Sequence, residues 1–172
     1  MEEVALSKYS EDFVRIILEF CVLAEKTRES EKTVFVGNMV KVLPLLYLKA
    51  SILPPITEDF DSELNTKVTE DMYNRIQESV AGLLGEDDLY LETFHPDIRF
   101  SDSPVAVKIS EDLADIYQDL GNFIGIYKNG QKETMNDSLA LCIKNFKSYW
   151  GQKLVNALRA LHYIKYKEDI VM

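Results

Sequence analysis

The sequence predicts an all-α fold, an antiparallel bundle of about five main helices with a proline-kinked central second helix, in one domain over residues 1–172. Three observations predict it. Apolar residues recur at steps of three and four along five stretches, the spacing that lines one side of a helix. No segment of real length alternates apolar and polar residues with the period of two that a half-buried strand needs. A chain of 172 residues, 47% hydrophobic and 28% charged, is also large enough for a sizeable core.

Helix one is predicted over residues 10–28, with Phe13, Ile16, Ile17, Phe20, Cys21 and Ala24 on one stripe. Ser10 is its predicted N-cap, and Glu11 and Asp12 follow where the positive end of the helix dipole favours acids. Helix two, over residues 33–53, is apolar nearly all round from Phe35 to Leu48, which places it at the bundle centre. Pro44 removes a backbone donor and predicts a kink; Pro54-Pro55 ends the helix. Residues 56–67 read as a loop. Helix three starts at Thr69, with Val68 and Tyr73 spaced as a hydrophobic staple, and stops at Gly85.

Between residues 86 and 109, Leu89, Tyr90, Leu91 and Phe94 read as a short helix, and residues 95–104 as irregular chain. Helix four starts at Ser110 as N-cap, carries Leu113, Ile116, Tyr117, Leu120, Phe123, Ile124 and Tyr127, and closes at Asn129-Gly130. Helix five is one long element over residues 136–165, roughly 45 Å at ~1.5 Å per residue. Gly151 is its weak point.

A net charge of −10 repels phosphate backbones, so nucleic acid is not an expected partner. The two cysteines, Cys21 and Cys142, lie in apolar helical stretches and read as buried free thiols, with a disulfide between them as the alternative and no spacing that suggests zinc. Met1-Glu2-Glu3 lacks the positive start of a signal peptide, and Lys41, Pro44 and Lys49 interrupt the most apolar stretch. The expected location is therefore cytoplasmic, with no membrane.

Four features carry candidate chemistry. Asp112, Asp115 and Asp119 share one helix-four face, and convergent carboxylates suit Mg²⁺. Asp112-x-x-Asp115 resembles half of the metal clamp of all-helical nucleotide pyrophosphohydrolases. The matching E-x-x-E pair is missing, since helix one offers Glu25 and Glu29 four residues apart, and the bland reading is a solvated acidic helix start. Residues 138–167 contain Lys144, Lys147, Lys153, Arg159, Lys165 and Lys167 and no acid, which reads as a strip complementing acidic helix four or one or, less often, as an anion-binding face. Arg159 and His162 lie one turn apart, and with Trp150 as a stacking wall they make a candidate ligand site. His95-Pro96-Asp97 is the tripeptide of J-domain co-chaperones, but Glu86, Asp87, Asp88 and Glu92 have the wrong sign for that use. It reads as a proline-fixed turn. No nucleophile elbow, P-loop or dinucleotide-binding glycine pattern occurs.

Four strings, KVLPLLYLKAS (residues 41–51), ISEDLADIYQDL (109–120), ETMNDSLALC (133–142) and YWGQKLVNALRALH (149–162), resemble a bacterial family catalogued as domain of unknown function 5063. The resemblance runs in order over nearly the whole chain. It implies an all-helical, bacterial, cytosolic protein and supplies no catalytic residues.

The leading expectation is a non-enzymatic interaction or accessory protein with a protein partner; surplus apolar helix faces leave room for a homodimer. The alternative is a divalent-metal-dependent nucleotide enzyme on Asp112, Asp115 and Asp119. A further alternative is a small-anion-binding bundle at Arg159, His162 and Trp150.

Overall fold

The computed structural model describes residues 4–57, 64–92 and 103–170. Among them are α1 (Lys8–Glu25), α2 (Lys32–Ser51), α3 (Glu70–Leu84), β1 (Leu89–Glu92), β2 (Val105–Lys108), α4 (Ile109–Tyr127), α5 (Lys132–Asn145) and α6 (Gly151–Tyr166). The chain is an all-helical bundle carrying one small ribbon. His95-Pro96-Asp97 and the remainder of residues 93–102 lie outside the described residues.

Several helix signals operate where the sequence places them. Thr69 caps α3 by accepting from the Met72 amide at 3.2 Å, and Val68 before it is buried. Gly85 takes φ 59°, which a residue with a β-carbon rarely adopts, and α3 stops there. The cap of α1 is Ser7, one turn earlier than Ser10, which is buried and donates back to the Ser7 carbonyl at 2.8 Å.

Helix two is not the centre of the bundle. That place belongs to α4, which packs on α1, α3, α5 and α6 and buries eleven residues, against six for α2. The physical reason is that an all-round apolar helix need not be surrounded: α2 runs on through Pro44 and packs mainly on α1 and α6. It is long and apolar enough to cross a membrane by length and composition, and a third of its apolar window is buried inside the fold.

The segment from Leu89 is a strand rather than a short helix. Leu89–Glu92 pairs antiparallel with Val105–Lys108, Tyr90 opposite Val107 and Leu91 opposite Ala106. Tyr90, Glu92, Val105 and Val107 are half-buried, while Leu89, Leu91, Ala106 and Lys108 face out. The ribbon leads straight into α4, whose start is clasped from outside. The buried Asp88 carboxylate accepts from the Ser110 amide and the Ser110 hydroxyl, both at 2.7 Å. Ser110 is therefore a donor inside the first turn, and Lys108 occupies the cap position. On the far side of α4, Asn122 Oδ1 accepts from the amides of Lys67 and Val68, both at 2.7 Å, pinning the chain ahead of α3.

The long fifth helix is divided. A π-helical turn at Phe146–Trp150 joins α5 to α6, and the Gly151 amide closes it by donating to the Phe146 carbonyl. The wide turn brings that carbonyl so close that a β-carbon on residue 151 would lie 2.4 Å from it and 2.9 Å from the Phe146 ring. Alanine is ordinarily about 1 kcal/mol better than glycine within a helix. Here Gly151→Ala is expected to lower stability by roughly 1–3 kcal/mol, as overpacking does. A raised melting temperature in that variant would show that the turn is not maintained in solution.

Candidate functional site

The polar side chains converge where α4, α6, α3 and β1 meet. Asp112 and Asp115, three residues apart, point from one side of α4. Lys153, near the start of α6, reaches between them, with Nζ 2.9 Å from Asp115 Oδ2 and 3.5 Å from Asp112 Oδ1. The three side chains retain 6%, 14% and 27% of their surface for Asp112, Asp115 and Lys153 respectively, so the pairing is largely sheltered from water. Each carboxylate has a second donor. The Tyr73 hydroxyl of α3 donates to Asp115 at 2.8 Å, and the Tyr90 hydroxyl of β1 donates to Asp112. The Lys153 ammonium also stands 5.1 Å from the Tyr149 ring centroid. Beside the cluster, Asn156 of α6 donates to Glu92 of β1 at 2.6 Å and accepts from Gln152 at 2.9 Å.

Burial sets the proton affinities. It pushes the Asp112 carboxyl up to about 6, although the Tyr90 and Lys153 contacts pull the other way. Burial also works against the Lys153 ammonium, but the Asp115 hydrogen bond and the two carboxylate charges outweigh it and hold the proton more tightly than usual. Desolvation and carboxylate acceptors raise the phenols of Tyr73 and Tyr90.

A divalent cation needs several oxygens converging on one point. Between Asp112 and Asp115 that point is taken by the lysine ammonium. Asp119 faces elsewhere: it accepts from Asn145 Nδ2 of α5 at 2.6 Å, and burial raises its carboxyl. Among the described residues no group of three or more His, Cys, Asp or Glu side chains is placed to hold a metal. Glu25, the nearest candidate for the missing half-clamp, instead accepts from the Tyr117 hydroxyl at 2.8 Å. Acidic α4 and basic α6 thus meet as a paired, packed seam.

The other candidates are not brought together. Arg159 is exposed and donates to the Leu91 carbonyl at 2.6 Å, tying α6 to the ribbon. His162 is exposed, with its ring 4.7 Å from that of Tyr166. Trp150 has no exposed surface; it packs 4.7 Å from the Phe146 ring and donates to the Cys142 carbonyl at 2.9 Å. Both cysteines are buried free thiols, and burial is the largest cause of their raised pKa, about 12 for Cys21.

Two surface features lay beyond the sequence. Arg159 lines a cleft of about 330 Å³ with Tyr90 and Tyr163, and next to it lies one of about 460 Å³ lined by Lys32, Lys165 and Lys167. Asp87 and Ile164 line both. The second feature is the outer side of α1 and α2. The two helices run antiparallel, as the Lys49–Asp12 ion pair at 3.2 Å between the end of one and the start of the other shows. Leu45 and Leu48 of α2 and Ile52 at its C-cap are 42%, 50% and 44% exposed at steps of three and four; Leu18 and Val22 of α1 are exposed as well.

Comparison with known proteins agrees with this fold. The family described as Domain of unknown function (DUF5063) matches residues 4–167. A crystal structure of protein BF1032 from Bacteroides fragilis, a structural genomics target, superposes with a TM-score of 0.85 at 44% sequence identity, covering 95% of this chain and 96% of that one. No curated protein matches the chain.

Proposed function

We propose that this chain, which belongs to the family Domain of unknown function (DUF5063), is a non-enzymatic interaction protein whose outer α1–α2 side receives a partner. The observation that carries the reading is the exposed stripe of Leu45, Leu48 and Ile52 along α2 and its C-cap, with Leu18 and Val22 of α1 exposed as well. Contiguous exposed apolar surface is favourable to cover, and spacing over successive helical turns suits the apolar side of another helix. The rim points to a protein rather than a lipid surface. Its exposed charges have both signs, Glu11 and Glu19 with Arg15 and Lys41. A lipid headgroup layer favours a uniformly basic rim, whereas a folded partner answers a mixed one charge by charge. The closed Asp112–Lys153–Asp115 seam supports the same reading, because its groups are spent on one another.

The test is a crosslinked, low-salt pull-down from the native cell, using the wild-type chain and the Leu45→Glu/Leu48→Glu variant. Both leucines are about half exposed, so the variant is expected to keep its helical circular dichroism. The expected result is a stoichiometric partner that crosslinks to α2 through an amphipathic helix and is lost with the variant. Equal recovery by both proteins, or association with anionic lipid vesicles in place of a protein, would overturn the proposal.

A further inference from the structure

At the opposite end of α2, we infer that the double cleft between α2, α6 and the turn ahead of β1 binds a small nucleoside phosphate. The two compartments are chemically unlike. The larger one brings Lys32, Lys165 and Lys167 around about 460 Å³ of space. The smaller offers the Tyr163 ring and the Arg159 guanidinium over walls of Leu89, Ala160 and Ile164. A phosphate dianion needs several cations at close quarters, and a flat base needs an aromatic or guanidinium face on an apolar floor. Pockets of this size suit such ligands.

Charge supports the assignment. The combined lining has four cationic side chains and three acidic ones, a local positive excess on a chain of net −10. The cations are not all used internally. Lys165 makes no ion pair among the described residues; its ammonium stands 5.2 Å from the Tyr166 ring centroid. Arg159 spends one N–H on the Leu91 carbonyl, which leaves the rest of its fork.

Asp87, at the junction of the compartments, acts as an internal competitor. Its carboxylate lies 2.6 Å from Lys32 Nζ and 3.7 Å from Lys167 Nζ, and the Lys32 hydrogen bond holds it below the usual carboxylate range. A bound phosphate would take over those two ammonium groups.

Calorimetry on the full chain with AMP, GMP and CMP, adenosine and inorganic phosphate tests this. Saturable binding of at least one monophosphate is expected, with adenosine and inorganic phosphate each weaker by about tenfold or more, since neither fills both compartments. Lys165→Ala is expected to weaken binding about tenfold, and Asp87→Asn to tighten it several-fold by freeing Lys32 and Lys167. A merely structural role for these residues would not move affinity in opposite directions. No heat with any monophosphate at millimolar concentration, inorganic phosphate binding as tightly as the nucleotide, or a Lys165→Ala variant equal to wild type would each overturn the inference.

Discussion

Replacing Lys153 by methionine is expected to destabilise the folded chain by about 3 kcal/mol at pH 7.5, the low end for breaking a buried ion pair. The low end applies because Lys153 keeps 27% of its side-chain surface in water. Methionine preserves most of the stem packing and removes the charge, leaving Asp112 and Asp115 without the ammonium between them and with hydroxyl donors such as Tyr73 and Tyr90. The pH dependence separates charge from packing. Burial raises the Asp112 carboxyl from its ordinary 3.8 to about 6, so the folded chain holds that proton to higher pH than the unfolded chain does. The stabilisation from that proton is full below the ordinary value and is lost as pH rises through about 6. In the variant, a neutral Asp112 no longer needs the ammonium, so the deficit is expected to shrink when urea unfolding is repeated at pH 5. Equal deficits at both pH values would mean that the Asp112 charge plays no part in what Lys153 contributes.

Trp150→Ala is expected to cost about 3–5 kcal/mol, the range for emptying a fully buried large aromatic site. Trp150 is fully buried, and its removal opens a void beside Phe146 at the π-helical turn. It also strips the Cys142 carbonyl of its indole donor. Trp150→Phe keeps much of the ring packing and loses that donor, so a smaller cost of about 1–2 kcal/mol is expected. Circular dichroism in urea measures both, because this is the chain's single tryptophan and the variants have no indole fluorescence. In the wild-type chain its emission should be blue-shifted and quenched little by iodide. A cost below about 1 kcal/mol for the alanine variant would remove Trp150 from the core.

These two residues show how a sequence reading divides. Trp150 was legible as an aromatic on an apolar stripe, and either packing or stacking suited it; only its complete enclosure decides for packing. Lys153 was legible as one of several cations on an acid-free helix. Nothing local singled it out from Lys147 or Arg159, because its role depends on Asp112 and Asp115, about forty residues upstream and on another helix. The same limit hid the ribbon. Four-residue strands are too short to show a period of two, and Tyr90 finds Val107 only across an intervening segment.

What the sequence determined by itself is local: five helical stretches, the Thr69 start and the Gly85 stop of the third, the apolar faces, the buried thiols and the family resemblance. Each rests on residues within a few positions of one another, where helix geometry alone relates spacing to direction. What the tertiary structure decided is which apolar face is covered and which charge meets which. It put α4 rather than α2 at the centre, split the last long helix at Gly151, and closed the acidic face of α4 with the ammonium of Lys153. The reason is physical: periodicity says that a helix has an apolar side or an acidic side, and only the packing of distant elements supplies what lies against it.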